Sequence, residues 1–146
     1  MVNHELSKRE WLDRCEAYCA KSEHCAADVR RKLHEWGAPS YLSDEIEERL
    51  YSNGFLDDAR FCHAYVHDKV EYQSWGRLKI QAGLRALALP ESEIRKSLDE
   101  IDETTYFSNL RALIASRRSS PEEKRLRFLA QRGFTIDEIK KELPRF

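Results

Sequence analysis

Apolar residues recur along this chain at spacings of three and four from one end to the other. Leu12, Cys15 and Cys19 share one helical face; Val29, Leu33 and Trp36 share the next, followed by Ile46 with Leu50. Phe61 and Tyr65 open another stripe. Ile80, Leu84 and Leu87 follow, then Ile94, Leu98 and Ile101, then Phe107, Leu110 and Ile114. Leu126 with Leu129 and Ile139 with Leu143 close the series. Residues so spaced lie on one side of a helix of 3.6 residues per turn. No segment alternates apolar and polar positions with β-branched enrichment, the pattern of a strand. The chain is expected to be all-α.

The breaks between stripes carry start and stop signals. Ser22, Ser43, Asp57 and Ser74 stand where a side-chain oxygen could accept from the unpaired N–H groups of a helix start. Ser119 or Ser120, before Pro121, offers a further cap, and Thr135 with Glu138 matches a capping box. Gly37, Gly54 and Gly133 each follow an apolar stripe, as a left-handed helix stop requires. Together these signals predict about nine helices.

The same order of signals occurs three times. A Leu is followed four residues later by a small stop residue, and the next helix shows an Ile and a Leu four apart. The copies read Leu33–Gly37 with Ile46 and Leu50, Leu84–Ala88 with Ile94 and Leu98, and Leu129–Gly133 with Ile139 and Leu143. A cap-like serine and one further amphipathic helix precede each. The expected architecture is one helical repeat domain over 1–146, built as three tandem three-helix repeats in an elongated, curved array. The repeats cover about 7–56, 57–101 and 102–146. The third fits least well, since Arg125 stands at the register of Val29 and Ile80. Each such unit buries its core against its neighbours and leaves a long outer face, which suits a macromolecular partner.

Charge changes this picture locally, not globally. Net charge is −1, so no overall field draws the chain to nucleic acid. Within repeats the signs are sorted. The middle helix of the first carries Arg30, Arg31 and Lys32, and that of the second carries Arg77, Lys79 and Arg85 with no acid from Trp75 to Leu89. The third has Lys124, Arg125, Arg127 and Arg132, with Arg117 and Arg118 just before it. The final helices of the first two repeats are acidic, with Asp44, Glu45, Glu47 and Glu48, then Glu91, Glu93, Asp99 and Glu100. Acids at a helix start answer the macrodipole, but the basic bias of the middle helices has no such local cause. Arg30, Arg31, Arg77, Lys79, Arg85, Arg117, Arg118, Lys124 and Arg127 are therefore the candidate partner-binding residues.

No catalytic constellation is expected. The sequence has no glycine-rich phosphate loop, nucleophile elbow or CxxC pair. His63 and His67 lie four apart near Cys62 and Asp68, but Ala64 stands where the zincin pattern needs Glu, so no metal or cofactor is expected. Asp57 and Asp58 suit a helix start better than a pair of acid–base carboxylates. Trp36 and Trp75 flank basic helices, where base stacking and core packing are both open to them. Cys15, Cys19, Cys25 and Cys62 fall on predicted helices, which suits free buried thiols in a reducing cytoplasm. The amino terminus lacks the apolar stretch of a signal peptide, and no run is long enough to span a bilayer.

Three segments carry a family resemblance. They are Lys21-Ser22 followed by Val29-Arg-Arg-Lys-Leu33, Asn53-Gly-Phe-Leu-Asp-Asp-Ala-Arg-Phe61, and Trp75-Gly-Arg-Leu-Lys-Ile80 with Leu84. In this order they resemble the RecX family of regulatory proteins, over about Ser7 to Leu143 and most strongly from Ser22 to Leu98. The resemblance implies a non-enzymatic array of three-helix repeats that binds RecA. Such a protein lodges in the groove of the RecA–DNA filament and restrains its recombinase and co-protease activities in DNA repair and the SOS response. It implies a cytoplasmic protein, here expected to be a monomer away from membranes. Near-neutral charge makes any direct DNA affinity weak. The alternative is a stand-alone DNA-binding protein that uses the basic middle helices.

Overall fold

The computed structural model describes residues 5–143, which form nine α-helices and one short 3-10 turn with no strand among them. The helices are α1 (Lys8–Lys21), α2 (Ala26–Glu35), α3 (Ser43–Ser52), α4 (Asp58–Glu71), α5 (Arg77–Ala86), α6 (Glu91–Asp99), α7 (Glu103–Ser116), α8 (Glu122–Gln131) and α9 (Ile136–Glu142). The 3-10 turn, Ser40–Leu42, precedes α3. The fold is all-α, and the order of its helices is that of three-helix repeats. They gather into two compact units, Met1–Phe61 and Cys62–Phe146.

The predicted helix stops are real and share one mechanism. Gly37, Ala88 and Gly133 have φ of +81°, +60° and +102°. In each case the residue just beyond the stop donates its N–H to the carbonyl of the leucine that recurs in each repeat. Ala38 bonds Leu33 at 2.9 Å, Leu89 bonds Leu84 at 3.2 Å, and Phe134 bonds Leu129 at 3.2 Å. This is the Schellman closure, which satisfies carbonyls that the helix end orphans. It also turns the chain so that the next helix folds back. Leu33, Leu84 and Leu129 are buried, as are Ile46, Ile94 and Ile139. Leu50 is buried too, while Leu98 and Leu143 are half-buried. Gly54, at φ +79°, closes α3 in the same way, with Phe55 donating to Leu50 at 2.8 Å.

The starts are less uniform than the serines suggest. Asp57 caps α4 by accepting the Arg60 N–H at 2.9 Å. Thr135 and Glu138 form the expected box, with hydrogen bonds of 3.1 and 2.8 Å. Two caps were not foreseen. Ser7 and Glu10 box the start of α1, and Asp102 accepts from Thr105 at 3.0 Å to open α7. Ser22, Ser43, Ser74 and Ser120 do not cap. Ser22 closes α1, Ser43 is already inside α3, Ser74 sits in left-handed backbone at φ +53°, and Pro121 occupies the position before α8. Other groups meet those needs. The Asp28 carboxylate accepts the Cys25 N–H at 3.3 Å before α2. At α5 the N–H groups of Gly76 and Leu78 donate to the carbonyls of Arg132 and Gly133, at 2.7 and 3.0 Å. A backbone partner from the α8–α9 turn thus replaces a side-chain cap.

In the first unit Trp11, Leu12, Cys15 and Cys19 of α1 pack with Val29 and Leu33 of α2, Ile46 and Leu50 of α3, and Leu56. In the second unit Ile80, Leu84, Ile94, Tyr106, Leu110, Ile114, Leu129, Phe134 and Ile139 are buried. No helix among the described residues is long and apolar enough to cross a membrane.

Candidate partner-binding surface

The sorted charges of the first two repeats meet each other. In the first, Arg30 Nε donates to Glu47 at 2.7 Å and its Nη2 donates to Asp44 at 2.6 Å, joining α2 to the acidic α3. Arg31 bonds Glu35 along its own helix at 3.1 Å. In the second, Arg85 grips both carboxylate oxygens of Glu91, at 2.5 and 3.1 Å. This paired hydrogen bonding holds the Glu91 carboxyl below the ordinary carboxylate range. A basic middle helix and an acidic third helix therefore neutralise one another across the turn that joins them.

Arg77 is built into the second unit. Its backbone N–H donates to the Tyr106 hydroxyl at 3.0 Å, and its guanidinium lies over that ring, 4.2 Å from the centroid. The same guanidinium reaches Glu103 at 2.6 Å and Glu138 at 3.3 Å. Tyr106 in turn donates to Glu138 at 3.2 Å, so one arginine ties together the starts of α5, α7 and α9. Burial, first of all, pushes the Tyr106 phenol well above its usual range. The glycines beside Arg77 make the contact. A Cβ on Gly76 would stand 2.2 Å from the Gly133 carbonyl carbon, and one on Gly133 would stand 2.5 Å from Lys79 Cβ. Arg132 adds a hydrogen bond from its guanidinium to the Gln73 carbonyl.

Other cations remain available. Lys79 lies over the Trp75 ring at 4.3 Å. Arg117 covers Phe128 at 4.0 Å, and among the described residues Arg127 bonds only Glu123, one turn back, at 3.3 Å. Arg117, Arg118 and Lys124 are exposed, and no carboxylate among the described residues pairs with them. The cause is visible in α9. Its two inward acids are taken, Glu138 by Arg77 and its own capping box and Glu142 by Arg111 at 3.5 Å, so the third repeat lacks the acidic face that answers α2 and α5.

The groups considered for chemistry stay apart. Cys15, Cys19, Cys25 and Cys62 are free and buried. Burial, aided by nearby negative charge, pushes the thiols of Cys15 and Cys19 up to about 11, which keeps them protonated and unreactive. His63 faces Glu100 at 3.5 Å, while His67 meets the edge of Tyr72. No group of three or more His, Cys, Asp or Glu among the described residues could hold a metal ion. Asp57 caps α4, and Asp58 accepts from the Tyr51 hydroxyl at 2.6 Å. One arrangement escaped the sequence reading. Arg14 is held between Trp11 and Trp36, 5.3 Å from each ring centroid. The step of three from Trp11 to Arg14 was legible in α1, but Trp36 arrives from α2 only through the fold.

Comparison with known proteins fits these features. A family model described as RecX, second three-helix domain, matches residues 57–98. The chain is 31% identical over 129 residues to the Regulatory protein RecX of Ectopseudomonas mendocina, across 82% of this chain and 83% of the relative. It is 29% identical over 126 residues to that of Pseudomonas entomophila, across 82% and 81%. The crystal structure of RecX from Lactobacillus salivarius matches with a TM-score of 0.78 over 94% of this chain and 95% of that one, at 16% identity. A second crystal structure, of a regulatory protein RecX, gives 0.74 at 21% identity, over 97% and 81%. The last two establish likeness of fold, and the first relative, matched along most of both chains, establishes kinship. On that match along most of both chains, the chain belongs to the RecX family of regulatory proteins.

Proposed function

We propose that this protein is a non-enzymatic regulator that binds RecA and the RecA–DNA filament. It restrains recombinase and co-protease activity in DNA repair and the SOS response, acting as a cytoplasmic monomer. The observation that carries the proposal is the unanswered positive charge of the third repeat, at Arg117, Arg118 and Lys124, in a chain of this family. A filament groove presents phosphates and acidic side chains, and several exposed cations can track it without reading bases. Lys79 and Arg127 add to this attraction. Arg30, Arg31, Arg77 and Arg85 already hold carboxylates of their own chain, so their share is smaller.

The test is RecA strand exchange and DNA-dependent ATP hydrolysis with this protein titrated in. Inhibition is expected to weaken as salt rises, because each phosphate contact gives up a released counterion. Changing Arg117, Arg118 and Lys124 together to Glu should raise the concentration for half-inhibition about tenfold or more, with helical content unchanged. Undiminished inhibition by that variant would remove the third repeat from the contact. Binding to bare DNA with a steep salt dependence and no response to RecA would favour a stand-alone DNA-binding protein.

A further inference from the structure

The first unit carries an open groove with a different chemistry. Helix α1 sets Trp11 and Arg14 one turn apart, and Trp36, at the C-cap of α2, comes over Arg14 from the neighbouring helix. Pro39 then leads into the 3-10 turn that holds Tyr41 outward. Trp11, Arg14, Trp36, Pro39, Tyr41 and Leu42 line this groove, with Glu5 and Lys8 at its margin. Tyr41 is 82% exposed, the most of any large apolar side chain described. An aromatic ring left in water beside two indoles is a feature of a contact surface.

Its charge is as particular as its shape. Lys8 is paired with Glu45 at 2.8 Å. Arg14 has no carboxylate partner among the described residues, and its guanidinium carbon lies 5.3 Å from the centroid of each of the two indoles. The rings restrain a side chain that is otherwise rich in rotamers, so its N–H donors are presented at little further entropic cost. A planar fork of this kind suits the two oxygens of a carboxylate or phosphate. A nucleic acid backbone would need several cations in a row, and the groove offers one unpaired cation, with Glu5 also on its lining. An enclosed metabolite site would bury most of its ligand, and this groove is open.

We infer that the groove docks an extended segment of a partner protein that carries a single carboxylate next to an aliphatic side chain. The carboxylate takes the Arg14 fork, and the aliphatic side chain lies against Trp36 and Tyr41. Glu5 disfavours a second acid on the same segment. This surface lies wholly within the first unit and does not depend on the RecA reading.

The probe is the blocked pentapeptide acetyl-Gly-Leu-Glu-Leu-Gly-amide, titrated into the full chain and followed by the indole N–H resonances. Trp11 and Trp36 should move, while Trp75, in the second unit, stays as the internal reference. Replacing the peptide Glu by Gln, or Arg14→Gln in the protein, should each weaken binding about tenfold, the scale of one charge-assisted hydrogen bond. Tyr41→Ala should also weaken it, with no change in melting, since Tyr41 supports nothing in the fold. Four results overturn the inference. These are still indoles at tens of millimolar peptide, equal binding of the Gln peptide, unaltered affinity in Tyr41→Ala, or stronger shifts with a thymidine oligonucleotide. Shifts of the same indoles with protein concentration alone would assign the groove to a second copy instead.

Discussion

Ala88 stands where the other two repeats have glycine, at φ +60°, while Gly37 and Gly133 sit at +81° and +102°. Left-handed backbone brings an L residue's Cβ close to its following carbonyl, at roughly 1–2 kcal/mol. Ala88→Gly is therefore expected to stabilise the protein by about 1 kcal/mol, read as a higher urea midpoint; a lower midpoint would mean that the methyl is needed for packing. The reverse change separates two uses of glycine. At Gly37 nothing lies within 4 Å of an added Cβ, so Gly37→Ala should cost only the conformational penalty, about 1–2 kcal/mol. At Gly133 the added carbon meets the backbone nitrogen of Lys79 at 2.6 Å and the Gly76 carbonyl at 2.8 Å. Gly133→Ala should cost well over twice as much, and equal losses at the two sites would refute the close backbone approach. All three stop positions were legible in the sequence as small residues after an apolar stripe. That one of them is also pressed against another backbone was not, because the neighbour lies far away along the chain.

At the scale of elements, helix starts divide into those that carry their own cap and those that borrow one. Thr135 and Glu138 satisfy each other's backbone N–H groups at α9, and Glu138 also receives Tyr106 and Arg77. Thr135→Ala should lose about 0.5–2 kcal/mol. Ser120→Ala should stay within about 0.5 kcal/mol, as expected where no cap or core contact is removed. Comparable losses in thermal melts of the two variants would restore a capping role to Ser120. The misread serines share a physical reason. A polar residue before an apolar stripe can cap, but whether it must depends on what else reaches the orphan N–H groups. At α5 the supplier is the backbone of the α8–α9 turn, and at α2 it is the carboxylate of Asp28 inside the helix.

For the molecule as a whole, the buried acids that prefer to stay neutral set its response to alkali. Burial raises the thiols of Cys15 and Cys19 to about 11 from an ordinary value near 9, and raises Cys25 and Tyr106 in the same direction. Unfolding releases these groups to ionise at their ordinary values, so above about pH 9 the unfolded chain holds fewer protons than the folded one. The contribution of the Cys15 and Cys19 thiols is thus complete below about pH 9 and disappears as pH climbs through about 11. The urea midpoint should fall between about pH 8 and 10.5, and fall less steeply in a Cys15→Ala, Cys19→Ala double variant. A midpoint flat across that range, or the same slope in the double variant, would show that these thiols do not meet the burial described.

Periodicity and punctuation alone determined the helical class, the number of helices, the threefold recurrence and most of the buried leucines and isoleucines. These depend on interactions a few residues apart, which the order of amino acids carries directly. Charge sorting was legible as well, but its meaning was not. Only the folded chain decided that Arg30 and Arg85 are met by their own acidic helices, that Arg77 is a strut on Tyr106, and that Arg117, Arg118 and Lys124 are left open. Only the fold brings Trp36 onto Arg14 and Gly76 onto Gly133. A charge or a ring acquires its role from what lies within a few ångströms, and residues far apart in the chain reach that distance only after the stops and turns have folded the helices back.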